Sequence, residues 1–586
     1  PNTQLRLVYL RGLVSAGISH NKASSEPRRR PGGHAMQTPR TIHQRPVNTQ
    51  ERRISMTKHA VIIGGGHNGL VCAAYLAKSG AKVTVLERRN IVGGAAVTEE
   101  FHPGFKNSVA SYTVSLLHPK IIKDLNLHAH GLTILPRRIN NFLPLPDGRS
   151  LLSYPALNDT QQSLAAFSKR DALQLGHYYQ ALDEVVPVVK EIMLLTPPNL
   201  VGIGFGDLFK LFGLSRAFEQ LNDRQKRFLV KLFSVSAGEM LDDLFESDAI
   251  KALLGFDAIV GHFASPYAPG SAYVLLHHVV GEVNGQAGVW GHAVGGMGAI
   301  TQAMAKEALA RGVEIRTDSA VTQVDIHKGQ ARGVHLADGS HLAADLVVAN
   351  VNPKLLFEQL MDSGDVSPDI LHHFEGYKCQ SGTFRMNVAL SKLPRFTAQD
   401  MSAVRNGENI DACLEGGIIM APSLDYMDQA FTDARRQGWS NAPIVEMLIP
   451  SIVDDSLAPA GKHVASLFCQ HFDPALGGRW DDHREAAADL IISTVETYAP
   501  GFSASILARQ IHSPWDLEQK FGLIGGDIFH GRLSLDQLFS ARPMLGMGQY
   551  RTEIPNLYLC GAGTHPGGGV SGLPGHNAAR EIRRHL

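Results

Sequence analysis

The sequence predicts an α/β fold: a parallel-sheet unit near residue 64, with helix-rich and then strand-rich stretches following it. Three observations carry this expectation. A glycine-rich turn near residue 64 separates a short apolar strand from a small-residue helix. A second glycine-rich segment, with seven glycines and two prolines from Gly561 to Gly575, precedes a helix-like ending. Between them a helix-periodic stretch gives way to alternating, strand-like runs, the pattern of a mixed domain.

At 586 residues the chain has the length of two or more domains. It is 44% hydrophobic and 19% charged, ordinary for a globular protein with a large core. Its 55 basic and 55 acidic side chains balance, so nothing in the charge argues for nucleic acid. The five cysteines, Cys72, Cys379, Cys413, Cys469 and Cys560, form no CxxC pair. Neither a redox disulfide nor a zinc knuckle is expected, and a reducing compartment suits them. No apolar run reaches about 18 residues, so no transmembrane helix is expected.

Residues 1–57 are expected to lie outside the fold as a disordered leader or presequence. The first 55 residues carry nine arginines and one lysine against Glu26 and Glu51. PRRRPGG and NTQERR read as disordered. Met56 stands just before the first strand while the chain begins at Pro1, which favours a translated upstream leader. An Arg-rich, acid-poor mitochondrial presequence is the alternative.

The first element is a buried strand, Ala60 to Ile63, followed by Gly64-x-Gly66-x-x-Gly69 and a helix running to Ser79. A second strand, Lys82 to Leu86, delivers Glu87 at its end. Gly64 permits the tight turn, Gly66 lets backbone approach a diphosphate, and Gly69 lets helix and strand pack closely. The helix start at His67 and Asn68 offers free N–H groups and a positive dipole to phosphate. Glu87 is placed to accept hydrogen bonds from ribose hydroxyls. Strand, helix and acid agree with the glycines, and together they predict dinucleotide binding.

The continuation favours FAD over NAD. Arg88, Arg89, Gly93, Gly94 and Ala95 follow Glu87, similar to the flavoprotein signature that wraps the second phosphate. Gly295-Gly296-Met297-Gly298 is the rival glycine turn, and its next strand, Val313 to Arg316, ends in no suitably placed acid. One dinucleotide site is expected.

After that turn come a helix, a strand and a meander with turns at Lys328-Gly329 and Asp338-Gly339, then a parallel strand from Asp345 to Asn350. Residues 151–290 are helix-rich. Within them, Gly202 to Phe218 is apolar enough for a substrate channel or a membrane-surface face, though helical spacing favours ordinary core. TFRMNVAL, APIVEMLIP and KHVASLFCQHF read as strands of an antiparallel sheet beneath a substrate cavity.

No HExxH, compact metal cluster or GxSxG elbow accompanies the 27 histidines, so no metal is expected. His277-His278 reads as structural. His530 in GGDIFHG, Arg542 in SARP and His565 in THPGGG are candidate flavin neighbours. His530 and Arg542 are the catalytic candidates.

GGGHNGLVCAAYL, LERRNIVGGAAVTEE, SPYAPGSAYVLLHHV, GGMGA, GGDIFH with SLDQL, and LYLCGAGTHPGGGVSG carry a resemblance over about residues 58–586. The chain resembles the FAD-dependent carotenoid/retinoid oxidoreductases, relatives of phytoene desaturase. That resemblance implies a Rossmann-like FAD-binding domain of the glutathione-reductase/amine-oxidase type with an inserted α+β substrate domain. The FAD domain would comprise 58–150, 288–355 and 540–586, and the substrate or cap domain 151–287 and 356–539. Val321 would offer backbone to the adenine.

The implied chemistry is hydride removal from a C–H bond to flavin N5, with oxygen or a quinone as reoxidant. The substrate would be isoprenoid-like or another small organic molecule, an amine included. A non-catalytic FAD-binding protein acting through a protein partner is the competing class, and peripheral membrane contact is compatible with either. The location implied is the cytoplasm for a bacterium and the mitochondrial matrix for a eukaryote.

For the ending, the resemblance implies a last strand, Leu557 to Cys560, returning to the FAD domain. Gly561, Gly563, Thr564 and His565 would then pass the ribityl chain. A helix starting at Gly572 would aim its dipole at the flavin, there to stabilise negative charge.

Overall fold

The computed structural model describes residues 57–398 and 410–586. The expected leader therefore lies outside the described residues. Two sheets organise the rest. The first has five parallel strands in the order Glu314–Arg316, Lys82–Leu86, His59–Ile63, Leu346–Ala349 and Leu557–Leu559. Ile62 pairs with Val85 on one side and Val348 on the other, and Val348 pairs with Tyr558. Strands from three distant parts of the chain thus lie side by side.

Leu346–Ala349 is buried throughout, and His59–Ile63 is buried from its second residue, as a sheet covered on both faces requires. On one face lie the helices His67–Lys78, Gly298–Ala310 and Leu573–Ile582, whose Cys72, Ala73, Ala303, Ala308, Ala578 and Ala579 join Ile62 and Val348 in one core. Small side chains let these helices approach closely. A Cβ on Gly575 would lie 2.1 Å from the Asn68 carbonyl oxygen, so the last helix touches the backbone of the first. On the other face, Val61, Ile63 and Val347 pack with Val324 and Val334 of the three-stranded meander Val321–His327, Gln330–Leu336 and His341–Ala343.

The second sheet has seven strands in the order Ile506–His512, Phe384–Leu390, His463–Phe472, Trp439–Leu448, Gly417–Met420, Asn141–Pro144 and Ser150–Ser153. Its pairs are antiparallel except Gly417–Met420 with Asn141–Pro144. The three strand-like runs read from the sequence form its centre. Asn141–Pro144 falls inside the first segment assigned to the FAD domain, yet it pairs into this other sheet. One face packs on Trp480, Ile491 and Val495 of the helix Trp480–Tyr498. Ile419, Ile444 and Phe468 on the opposite face join the helical stretch of the chain.

One expectation needs correction. The apolar run from Gly202 to Phe218 is not core: Phe205, Phe209 and Phe212 are 78%, 66% and 68% exposed. The helix Phe205–Glu219 turns Asp207 and Ala217 inward instead. Asp207 accepts from the backbone N–H groups of Asn199 (3.0 Å) and Gly204 (3.1 Å) and from the Gln549 side chain (2.5 Å). A polar anchor holds this helix, and its phenylalanines face outward. No helix among the described residues is long and apolar enough to cross a membrane.

Candidate functional site

At the carboxyl end of the strand His59–Ile63 the chain turns sharply at Gly64, whose φ is +97°. This is a left-handed conformation that a side chain would strain. A Cβ on Gly69 would lie 2.4 Å from the Gly64 carbonyl oxygen, so the helix can pack this close only with glycine there. Asn350, at the end of the neighbouring strand, donates its Nδ2 to that same carbonyl over 3.0 Å. Gly93 N donates to Gly65 O over 2.9 Å, which lays the Gly93-Gly94 segment against the turn. The helix His67–Lys78 starts without a side-chain cap and without an acid in its first turn. Its first N–H groups and positive end remain open to an anion.

Glu87 is buried, accepting Gly65 N (2.9 Å) and Arg89 N (3.0 Å) on separate oxygens. The second sheet faces this loop across a cavity of about 420 Å³. Gly64, Gly66, His67, Asn68, Glu87, Arg88, Gly93, Gly94, Ala95, Val321 and His530 all line it. His67 Nε2, Asn68 Oδ1, Arg89 Nη1 and His530 Nδ1 are buried without a hydrogen-bond partner, and all four residues line the cavity. Orphaned buried polar atoms of this kind mark a place for a polar ligand. Donors at the helix start, a carboxylate at the strand end and a glycine cradle together fit a dinucleotide.

Burial lowers the His67 imidazole to about 4 and His530 to about 3, the latter helped by His67 and Arg542. Both are neutral near pH 7, so each carries one donor and one acceptor nitrogen.

The chain's ending enters the cavity differently from the expectation. Ala562, Gly569 and Val570 line it, while Gly561, Gly563, Thr564, His565 and Gly572 stand behind the wall. Cβ atoms on Gly561 and Gly563 would lie 3.0 Å from the Asn350 carbonyl oxygen and 2.3 Å from Pro353 Cδ. These glycines let the ending press on the turn after Leu346–Ala349, and Ala562 between them faces the opening. Thr564 Oγ1 donates to Gly561 O at 2.8 Å, and His565 Nε2 meets the Ile192 carbonyl at 3.0 Å. Gly572 caps the last helix, with a Cβ position 3.2 Å from Ile121.

Arg542 also stands outside the lining. It is fully buried and donates to the carbonyls of Phe529 (2.7 Å), Ala562 (3.0 Å), Gln537 (3.1 Å) and Gly531 (3.2 Å). With Asp527, which accepts from Phe529 N at 2.8 Å and Gly531 N at 3.2 Å, it ties the turn that presents His530.

Sequence reasoning missed the opposite wall: Tyr112, Arg137, Asn141, Asp257, His278, Trp290 and Glu446. These come from scattered segments and form no motif. His278, read as structural, does bond Val274 O through Nδ1 at 2.8 Å, but it also lines the cavity. The fold further gathers Asp325, His335 and His341 on the meander, with ligand atoms within 4.8 Å of one another, a group invisible in sequence spacing. All five cysteines are free and buried, and Cys560 lies beside Cys72.

The match to known proteins agrees with this geometry. Residues 69–370 match the family described as flavin containing amine oxidoreductase. The chain is 39% identical to pyridine nucleotide-disulfide oxidoreductase domain-containing protein 2 of Rattus norvegicus, over 90% of this chain and 93% of the relative. It is 24% identical to phytoene desaturase of Fusarium fujikuroi, over 88% and 86% of the two chains. The solved structure of cyclohexylamine oxidase from Brevibacterium oxydans shares its fold, with a TM-score of 0.51 and 15% identity over 90% of this chain and 99% of that one. A dinucleotide cradle and these similarities lead to one conclusion: the chain belongs to the flavin-containing amine oxidoreductase family and is an FAD-dependent oxidoreductase.

Proposed function

We propose that this oxidoreductase removes hydride from a C–H bond of a hydrophobic or small organic substrate, with oxygen or a quinone as the final acceptor. The observation that carries the reading is the shared cavity: the nucleotide loop forms one wall, and Tyr112, Phe256, Val260 and Trp290 supply apolar surface on others. Bound FAD supplies the two-electron acceptor. The Gly64–Asn68 turn and open helix start would hold its diphosphate, Glu87 its ribose, Gly93 to Ala95 its second phosphate side, and Val321 its adenine.

His530 holds a neutral imidazole in the cavity with Nδ1 unpartnered, so it can accept or relay a proton as the substrate is oxidised. Arg542 acts as a positioning residue through the 529–531 turn. No second GxGxxG–strand–acid unit is present for a nicotinamide, which favours oxygen or quinone. The test is to photoreduce the purified yellow protein and mix it with oxygen, a soluble quinone or NAD. Rapid reoxidation by either of the first two supports the reading; a flavin inert to both refutes it.

The exposed ridge around Phe205, Phe209 and Phe212 supports contact with a membrane surface, where a hydrophobic substrate would reside. Arg216 on the same helix and Arg227 on the next are exposed and can meet anionic lipid.

A further inference from the structure

The cavity wall opposite the nucleotide loop holds charge that the reading above leaves unused. On the seven-stranded sheet, Glu446 pairs with Phe468, and Phe468 with Arg385, across three adjacent strands. The three side chains therefore stand in a row on one face. Tyr112 stacks on Phe468 at 5.2 Å, lies under the Arg385 guanidinium at 4.4 Å, and donates its hydroxyl to Glu446. Gly417 leaves a gap in this face. A Cβ there would sit 2.6 Å from Glu446 Oε1, 2.8 Å from Asn141 Oδ1 and 3.4 Å from Arg137 Nη1. Three polar groups converge where one methyl would have been.

Arg137 is 9% exposed and lines the cavity. Its contacts are neutral: Thr113 Oγ1 at 2.7 Å from Nη2, and the Asn140 carbonyl at 3.4 Å from Nη1. Its guanidinium lies 5.9 Å from the Trp290 ring. Among the described residues it makes no ion pair, although Glu446 and Asp257 are close enough to act on its charge. Asp257 lines the same wall, and its carboxylate has no hydrogen-bond partner among the described residues. Burial pushes Asp257 up to about 7, with Glu446 adding to it, and burial also raises Glu446. The guanidinium stays charged, while both acids are drawn toward their neutral forms. A buried cation with unused donors is costly unless an anion completes it.

We propose that this wall binds the carboxylate of the substrate: an organic acid whose anionic head is held by Arg137, with Tyr112 and Asp257 beside it. This rests on the oxidoreductase reading and narrows its substrate class. Thr113, also on the cavity lining, holds the guanidinium through Nη2, and the apolar body of the acid lies among Phe256, Val260 and Trp290.

The test uses the purified FAD-containing full chain, with hexanoate, benzoate and hexylamine as probes. Binding is read by perturbation of the flavin absorption and separately by thermal shift. Hexanoate and benzoate are expected to bind, with Arg137→Gln weakening them about 10-fold or more and Arg137→Lys retaining part of the affinity. Thr113→Val, which leaves the charge in place but unbraced, is expected to weaken them by a smaller factor and remains informative should Arg137→Gln not fold. Binding of hexylamine without hexanoate, or carboxylate binding unchanged in Arg137→Gln, overturns the proposal. Should the proposed reaction fail, the photoreduced flavin would be inert to oxygen and quinone while hexanoate still perturbed its absorption through Arg137, so the two failures are distinguishable.

Discussion

Asn350 Nδ2 and the Gly64 carbonyl oxygen are 3.0 Å apart, although 286 residues separate them in the chain. One hydrogen bond pins the tight turn after the first strand to the end of the fourth. Asn350→Leu removes it and crowds the cradle, so a loss of about 1–3 kcal/mol in stability is expected. FAD affinity should fall with it. Denaturant unfolding and the FAD content of the purified variant check this.

The glycines at the two ends of the chain are packing residues, and this distinguishes them from merely flexible ones. Gly69→Ala and Gly563→Ala each place a methyl less than 2.5 Å from an atom that cannot yield easily, the Gly64 carbonyl or the Pro353 ring. Overpacking of this kind costs about 1–3 kcal/mol. Both variants should purify with depleted flavin, whereas Gly80→Ala, with nothing within 4 Å, should keep its cofactor despite some backbone strain.

Arg542 and His530 should separate cleanly. Arg542→Met strips donors from four buried carbonyl groups, so a loss of several kcal/mol is expected, roughly 1–3 for each group left unsatisfied. His530→Gln leaves the fold within about 1 kcal/mol and acts on turnover. Thermal midpoints set against kcat for the two variants test the division.

Stability should carry a signature of Asp257. Burial raises its folded-state value to about 7, above the 3.8 of an unfolded aspartate. The folded state therefore binds its proton more tightly, and this contribution, full at low pH, is lost as pH rises through about 7. Asp257→Asn should gain on the wild type steadily between those limits. The buried neutral histidines His67 and His530 act oppositely, destabilising the fold as acid protonates the unfolded chain. The readout is therefore the difference in thermal midpoint between variant and wild type across pH.

The apolar ridge gives a further outcome. Wild-type protein should sediment with vesicles rich in anionic lipid, and a triple Phe205→Ser, Phe209→Ser, Phe212→Ser variant should remain in the supernatant with its flavin intact.

Legibility in the sequence followed locality. The Gly64–Gly69 turn, Glu87 and the Gly93-Gly94 pair are close in the chain, and their spacing is itself the chemistry. The last strand was placed only through the family resemblance that LYLCGAGTHPGGGVSG carries, since nothing local ties the run from Leu557 to Cys560 to a strand as distant in the chain as Leu346–Ala349. Which of its residues face the cavity was not, because the alternation that points Ala562 inward and Gly561 and Gly563 toward Asn350 and Pro353 depends on tertiary packing. The Arg137 wall was unreadable, since Tyr112, Arg137 and Asp257 come from separate loops and meet Glu446 of the second sheet only in the folded cavity. Helical spacing around Phe205 gave an apolar stripe but could not say whether anything covers it.

The most direct test of the account is the visible absorption spectrum of the purified full chain, followed by chromatography of what it releases on denaturation. A yellow protein is expected, with flavin bands and one FAD released per chain, lost in Asn350→Leu and Gly69→Ala. A folded, colourless protein that takes up no added FAD would contradict it.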